Sequence, residues 1–388
     1  MKKFSNCNLT QAQAEQALSE ACEIVKANVP MFTDCCQDHS SVGDIYPQRE
    51  NDEWTCGFWP GELWLSYEHT NDAIFKETAL VQVESFVKRI ENKVQVDHHD
   101  MGFLYTPSCV AAYQLVGSEE GKQAAIAAAD QLITRFQPKG EFLQAWGAMD
   151  EVDNYRYIID CMLNVPLLYW ASKVTGNDKY REIGTKHTVT CLANSFREDG
   201  STHHTFFMNA DGTPKCGRTC QGYRDDSFWA RGQAWGIYGS AIGYTYTQND
   251  EFKDVFKKAL DFYLSRLPED LVPCWDMIFA PETGEPRDSS SAAIVACGLL
   301  EMAKHETQDV AQEYRELAGQ MLASLVDCYA VKMAEFKPGI GLVKHGTYGK
   351  KSPYNTCNGN GVDECVSWGD YFYMEALTRY MKDWAMYW

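Results

Sequence analysis

The chain is short of positive charge: 35 Lys and Arg stand against 54 Asp and Glu, a formal net charge of -19. A nucleic acid needs a basic face and an anionic membrane surface repels such a chain, so neither is expected as a partner. It also lacks any apolar run near the roughly 20 residues of a membrane span. The opening MKKFSNCNLTQAQAEQ shows no apolar core of a secretory signal, which predicts a cytoplasmic protein. Zinc-type CxxC pairs are missing although there are 15 cysteines, an odd and scattered set. They read as small buried apolar residues in a reducing compartment. HExxH, GxSxG and a P-loop are absent as well. No Pro- or Gly-rich linker breaks the sequence, so residues 1–388 read as one domain.

What is present is mostly helical. NLTQAQAEQALSEACEIVKANV carries apolar residues at helical spacing, with Thr10 as the expected N-cap. Six later segments share a plan: a loop holding Gly, Asp or Trp, an apolar helix, a turn, then an amphipathic helix. They begin near GFWPGELWLSYEHTND, GFLYTPSCVAAYQLVGSEEG, DCMLNVPLLYWASKVTGNDKY, RGQAWGIYGSAIGYTYTQNDEF, SSAAIVACGLLEMAKH and WGDYFYMEALTRYM. The turns TND, TGND and TQND suit helix hairpins. Helices apolar all round belong inside and amphipathic ones outside. The pattern predicts an all-α, (α/α)6 toroid, with an irregular helical bundle as the alternative. In a toroid the loops entering the inner helices converge on one mouth.

Those loops hold the distinctive residues: Trp54 and Trp59, His98, His99 and Asp100, Gln144 and Trp146, Asp160, His203 and His204, Gln221, Ser227, Trp229, Arg231, Trp235, Trp368 and Asp370. Trp beside acids and amides suits a sugar, whose C–H face packs on the ring while its hydroxyls meet polar groups. Asp160 lies between YII and CML. Apolar surroundings raise a carboxyl pKa, as a general acid requires; a helix cap is the plainer reading. Asp100 is a second carboxylate on a neighbouring loop, or a turn residue. HHD suits proton transfer or hydrogen bonding better than metal, because adjacent histidines in a loop diverge and no metal-ligand spacing occurs. No metal or cofactor is expected. In YRDDSFWARGQAW, Ser227 reads as the cap of a helix N-terminus, and Ser227 and Trp229 are also expected to bind the substrate. The basic segment GKKSPYN, with Lys350, Lys351 and Ser352, is either a solvated loop or a clamp for a carboxylate or sulfate.

From about residue 50 to its end the chain resembles the unsaturated glucuronyl hydrolases. The motifs GFWPGELWLSYEHTND, DHHDMGFLY, QAWG, IIDCMLNVPLLYWA, HHTFF, RGQAWGIYG, RDSSSAAIVACGLLE and WGDYFYMEAL carry the likeness. These bacterial toroids act on oligosaccharides left by polysaccharide lyases. The resemblance implies two essential carboxylates, Asp100 and Asp160, with His204 and Gln221 beside them. It implies a sugar pocket of Trp54, His99, Trp146, Arg231 and Trp235. It further implies hydration of a C4=C5 vinyl ether in place of attack at the anomeric carbon: Asp160 protonates C4, water adds at C5, and the hemiketal opens. The expected substrates are unsaturated uronic-acid disaccharides and short oligosaccharides from chondroitin, hyaluronan or heparin. A rhamnogalacturonan-directed hydrolase, an (α/α)6 epimerase using His99 and His204, and a silent glycan-binding protein are the alternatives. Sulfation preference and oligomeric state stay open.

Overall fold

A computed structural model describes residues 8–388. The leader reading above rests partly on residues outside that range. Among the described residues, helices alternate between an outer and an inner position. Outer α1 (Gln11–Phe32) comes first. Inner α2 (Phe58–Thr70) and outer α3 (Ala73–Glu91) make the first hairpin. The next inner rod is α4 (Met101–Tyr105), a π turn at Thr106–Val110 and α5 (Ala111–Val116), followed by outer α6 (Glu119–Ile133). Then come α7 (Pro166–Thr175) with α8 (Asp178–Ser195), and α9 (Ala230–Thr247) with α10 (Glu251–Arg266). Last are α11 (Ser289–Met302) with α12 (Gln308–Ser324), and inner α13 (Ser367–Met381). α13 packs on α11 and α12 and also on α1 and α2, which closes the ring as an (α/α)6 toroid.

Burial follows the sequence pattern. Every residue of α11 is buried, whereas α10 buries one stripe running from Phe252 through Phe256 and Ala259 to Tyr263. Thr10 caps α1 in a capping box with Gln13. The hairpin turns are made by left-handed residues after the inner helices, Asn71, Gly176 and Gln248. Asp72 and Asn177 then cap the outer helices through their side chains. Where α2 starts, Gly57 lies against α4 so closely that a Cβ would sit 2.1 Å from the Phe103 carbonyl oxygen. This contact seats the two inner helices side by side.

The periodicity does not foretell a small antiparallel sheet at the mouth, made of Arg156–Ile158, Thr205–Met208 and Pro214–Arg218. Strands of three to five residues are too short to register as alternation. The sheet joins the loop before α7 to the loop after α8, and the Ile159 N–H donates to the His204 carbonyl at 3.0 Å, which brings His204 beside the Asp160 turn. Ser227 departs from expectation. The N-cap of α9 is Trp229, and the Ser227 hydroxyl instead donates to Asp276 Oδ2 at 2.5 Å and accepts the Arg224 N–H at 3.0 Å. It closes the loop two residues too early to cap the helix.

Candidate active site

At the mouth of the ring lies a cavity of about 180 Å³ lined by Trp54, His99, Asp100, Trp146, Ile158, Asp160, His204, Cys220, Gln221, Trp229, Arg231, Trp235 and Tyr348. Ten of these are residues singled out from the sequence.

Two turns set the carboxylates. Asp100 occupies the N-cap position of α4 but makes no capping bond; its carboxylate faces sideways. His98 Nδ1 lies 3.2 Å from one oxygen and His99 Nε2 3.4 Å from the other, so the diverging rings flank one acid. Asp160 lies in a 3-10 turn, Ile159–Leu163, ahead of α7, whose N-cap is Val165, so the capping role does not fall to it. Asn164, one turn after Asp160, joins the two loops. Its Oδ1 accepts the Phe103 N–H at 2.7 Å, and its Nδ2 faces Asp100 Oδ1 at 3.5 Å and the Asp160 carbonyl at 3.4 Å. This contact needs Gly102, where a Cβ would meet Asn164 Cα at 2.3 Å. Gly102→Ala is therefore expected to push the turns apart and lower kcat by about 10²-fold, since small misplacements of reacting groups cost that much. Steady-state kinetics beside a thermal melt checks it, with kcat falling far more than the melting point would explain.

His99 Nε2 is also 3.7 Å from Asp160 Oδ1, and the three groups offer atoms within 4.8 Å of one another. Two carboxylates this close repel by roughly 3 kcal/mol at an effective dielectric constant near 20, so one of them stays protonated. Which one follows from their partners. Burial, then the charge of Asp100, pushes Asp160 well above the usual carboxylate range, against the pull of Arg231. Asp160 Oδ1 is buried with no hydrogen-bond partner. Burial acts on Asp100 too, but His99, His98 and Asn164 outweigh it and hold Asp100 below its ordinary value. Burial lowers His99 to about 4 and, with Arg231, lowers His204 to about 3. The site thus holds a neutral acid, a carboxylate and two neutral imidazoles.

The opposite wall is equally fixed. His204 Nδ1 accepts the backbone N–H groups of Cys220 at 3.0 Å and Gln221 at 3.2 Å, which leaves Nε2–H as the ring's donor. Arg231 donates to Asp288 and Thr347 through Nη1, and to Tyr348 and Gln221 Oε1 through Nη2. With its oxygen held, Gln221 keeps its NH₂ as the free donor. The Arg231 guanidinium lies 4.4 Å over Trp229 and 4.7 Å over Trp368. Trp229 lies against His204 with ring centroids 4.1 Å apart. Trp54 stacks on Trp368 and donates to the Tyr348 hydroxyl.

Several expected residues stand elsewhere. Trp59 is core, donating to the Phe32 carbonyl, and Trp368 donates to Ser290. Asp370 accepts from Tyr46, Leu342 and Val343, and His203 pairs with Arg197. Gln144 holds the Trp146 loop through three carbonyls. Ser227, Lys350, Lys351 and Ser352 do not line the cavity. Lys350 pairs with Glu285 at 2.6 Å, Lys351 donates to the Asn355 carbonyl and Ser352 to the Tyr223 carbonyl. Sequence reasoning passed over Asn164, Tyr348, Ile158 and Cys220. Asn164 had one usable signal: four residues after Asp160, it shares that acid's face of the turn.

The profile of Glycosyl Hydrolase Family 88 matches residues 26–380. An unsaturated chondroitin disaccharide hydrolase of Streptococcus pneumoniae is 43% identical over 383 residues, 98% of this chain and 95% of its own length. An unsaturated glucuronyl hydrolase of a Bacillus species is 37% identical, over 96% of this chain and 98% of its own. The crystal structure of unsaturated glucuronyl hydrolase from Streptococcus agalactiae superposes with a TM-score of 0.95 at 41% identity, covering 100% of this chain and 98% of that one. A variant of that enzyme complexed with dGlcA-GalNAc6S superposes at 0.86, with 39% identity and coverage of 99% and 95%. Toroid, cavity and relatives agree: the chain belongs to Glycosyl Hydrolase Family 88, among its unsaturated glucuronyl hydrolases.

Proposed function

We propose that this enzyme removes the 4,5-unsaturated uronic acid from the non-reducing end of glycosaminoglycan disaccharides and short oligosaccharides by hydrating the C4=C5 bond. The observation that carries it is the unequal pair: Asp160, whose carboxyl burial and Asp100 push up, offers an oxygen within 4.8 Å of Asp100, which its partners hold low, and both line one Trp-walled cavity. Protonating a vinyl ether carbon requires an acid still protonated near neutral pH, and Asp160 has the surroundings of one. Its proton goes to C4 as the π electrons form that C–H bond. Positive charge then develops at C5 and the ring oxygen, and the Asp100 carboxylate stabilises it. Water adds to C5 and gives up a proton to the Asp160 carboxylate, which restores the acid. The hemiketal opens to a C5 ketone, and the hemiacetal left at C1 expels the partner sugar. His204 Nε2–H and the Gln221 amide hold the sugar and the attacking water. Trp54, Trp146, Trp229 and Trp235 supply the apolar faces.

The partner sugar fits a second hollow that shares Gln221 and Tyr348 with the cavity and is lined by residues 356–360. The streptococcal relatives named for chondroitin disaccharides support that polymer over rhamnogalacturonan. We read residues 1–388 as one catalytic domain, because α1 and α13 pack together from opposite ends of the chain. A reducing cytoplasm suits the fourteen free cysteines among the described residues, and no helix of the structure is long and apolar enough to cross a membrane.

The test uses the purified protein with lyase-generated disaccharides of chondroitin, hyaluronan, heparin and rhamnogalacturonan. Loss of the ultraviolet absorbance of the conjugated double bond with at least one glycosaminoglycan disaccharide is expected. Decay with the rhamnogalacturonan disaccharide alone would reassign the substrate, and decay with none rejects the function. EDTA is expected to leave the rate unchanged. Inhibition reversed by a divalent ion would instead make His99, Asp100 and Asp160 a metal site.

A further inference from the structure

The substrate proposed above always carries a carboxylate and often a sulfate, yet the cationic groups around the cavity are nearly all engaged. Both terminal nitrogens of Arg231 are bonded to Asp288, Thr347, Tyr348 and Gln221. Lys350 is paired with Glu285, Arg224 with Asp226 at 2.7 Å, and Arg218 lies 3.8 Å from Asp225. His99 and His204 are neutral.

Arg156 is different. It sits on the mouth sheet opposite Phe207, and its carbonyl accepts the Ala145 N–H, which ties it to the Trp146 loop. Its guanidinium lies over two aromatic rings, 4.6 Å from the centre of Trp146 and 5.4 Å from that of Phe207. Trp146 lines the cavity and is its most exposed aromatic, so this stack is at the rim. Among the described residues the Arg156 side chain makes no ion pair, and its Nε is buried without a hydrogen-bond partner. A guanidinium held against two aromatic rings, with its fork of donors unengaged, is organised to receive a planar or tetrahedral oxyanion at little entropic cost.

We infer that Arg156 is the oxyanion-binding residue at the rim of the sugar pocket, taking either the carboxylate of the unsaturated uronate or a sulfate ester of the disaccharide. The inference rests on the proposed function. In an acidic protein such an unpaired cation also offsets the repulsion that an anionic substrate meets on approach.

The test compares wild type with Arg156→Met, which keeps the apolar stem against the rings, and Arg156→Lys, which keeps the charge. Substrates are the unsulfated chondroitin disaccharide, one sulfated on the uronate and one sulfated on the hexosamine. Losing charge-assisted bonds is expected to raise KM by about 10- to 100-fold in Arg156→Met while kcat changes little, with Arg156→Lys recovering part of the loss. A rise with all three substrates identifies the carboxylate, and a rise confined to one sulfated substrate identifies that sulfate. KM within twofold of wild type throughout overturns the inference, as does a fall in kcat alone that Lys does not relieve. Wild-type turnover in the same assay separates the two readings: without it the proposed function fails, not the role of Arg156.

Discussion

Asp160→Asn is expected to lower kcat by about 10³-fold or more, with KM nearly unchanged. Positioned general acids contribute about 10²- to 10⁴-fold, and here the same group both delivers the proton to carbon and receives one from water. Asparagine matches the carboxyl in shape, and Asp160 Oδ1 has no hydrogen-bond partner to lose. The fold is therefore expected to hold, so a melting curve near that of wild type would accompany the loss. Continuous absorbance assays on an unsaturated disaccharide measure it. Activity within a few-fold of wild type would remove Asp160 from the role of acid.

Asp100→Asn is expected to cost about 10²- to 10³-fold in kcat, because the charge that stabilises the developing cation is gone. It carries a second signature, in pH. Activity requires Asp100 ionised and Asp160 protonated, so the rate rises as pH climbs through the low pKa of Asp100 and falls as pH climbs through the raised pKa of Asp160. The Asp100 charge is one of the two causes that lift Asp160. Removing it lets Asp160 ionise at lower pH, so the basic limb of the residual activity moves to lower pH. His99 and His204 add no limb near neutrality, since burial holds them at about 4 and about 3. A pH profile of residual kcat reads the shift. An unmoved limb would mean that the two acids do not share the field that their separation implies.

The parts legible in the sequence were those encoded locally. Helix periodicity, the three related turns and the Trp- and Asp-bearing loops foretold the toroid and its mouth, because inner helices must be apolar all round and outer ones need only a stripe. Asp160 stood out by its apolar flanks. What escaped depends on contacts through space. Asn164 matters because Gly102 lets a separate turn approach it, and Tyr348 because Trp54 and Arg231 meet it. Lys350 looked like a clamp in a one-dimensional string, but Glu285 lies 65 residues away in sequence and 2.6 Å away in space. Arg156 looked ordinary for the opposite reason: its lack of a partner is visible only once every neighbour is placed.

The central claim is that Asp160 protonates C4 and that the glycosidic link breaks only as a consequence. Running the wild-type reaction in D₂O and examining the first turnovers by NMR tests it most directly. One deuterium at C4, delivered to a single face, and a released sugar without its double bond are expected. Release of a uronate that keeps its C4=C5 absorbance and carries no deuterium at C4 would contradict it, and would place the attack at the anomeric carbon.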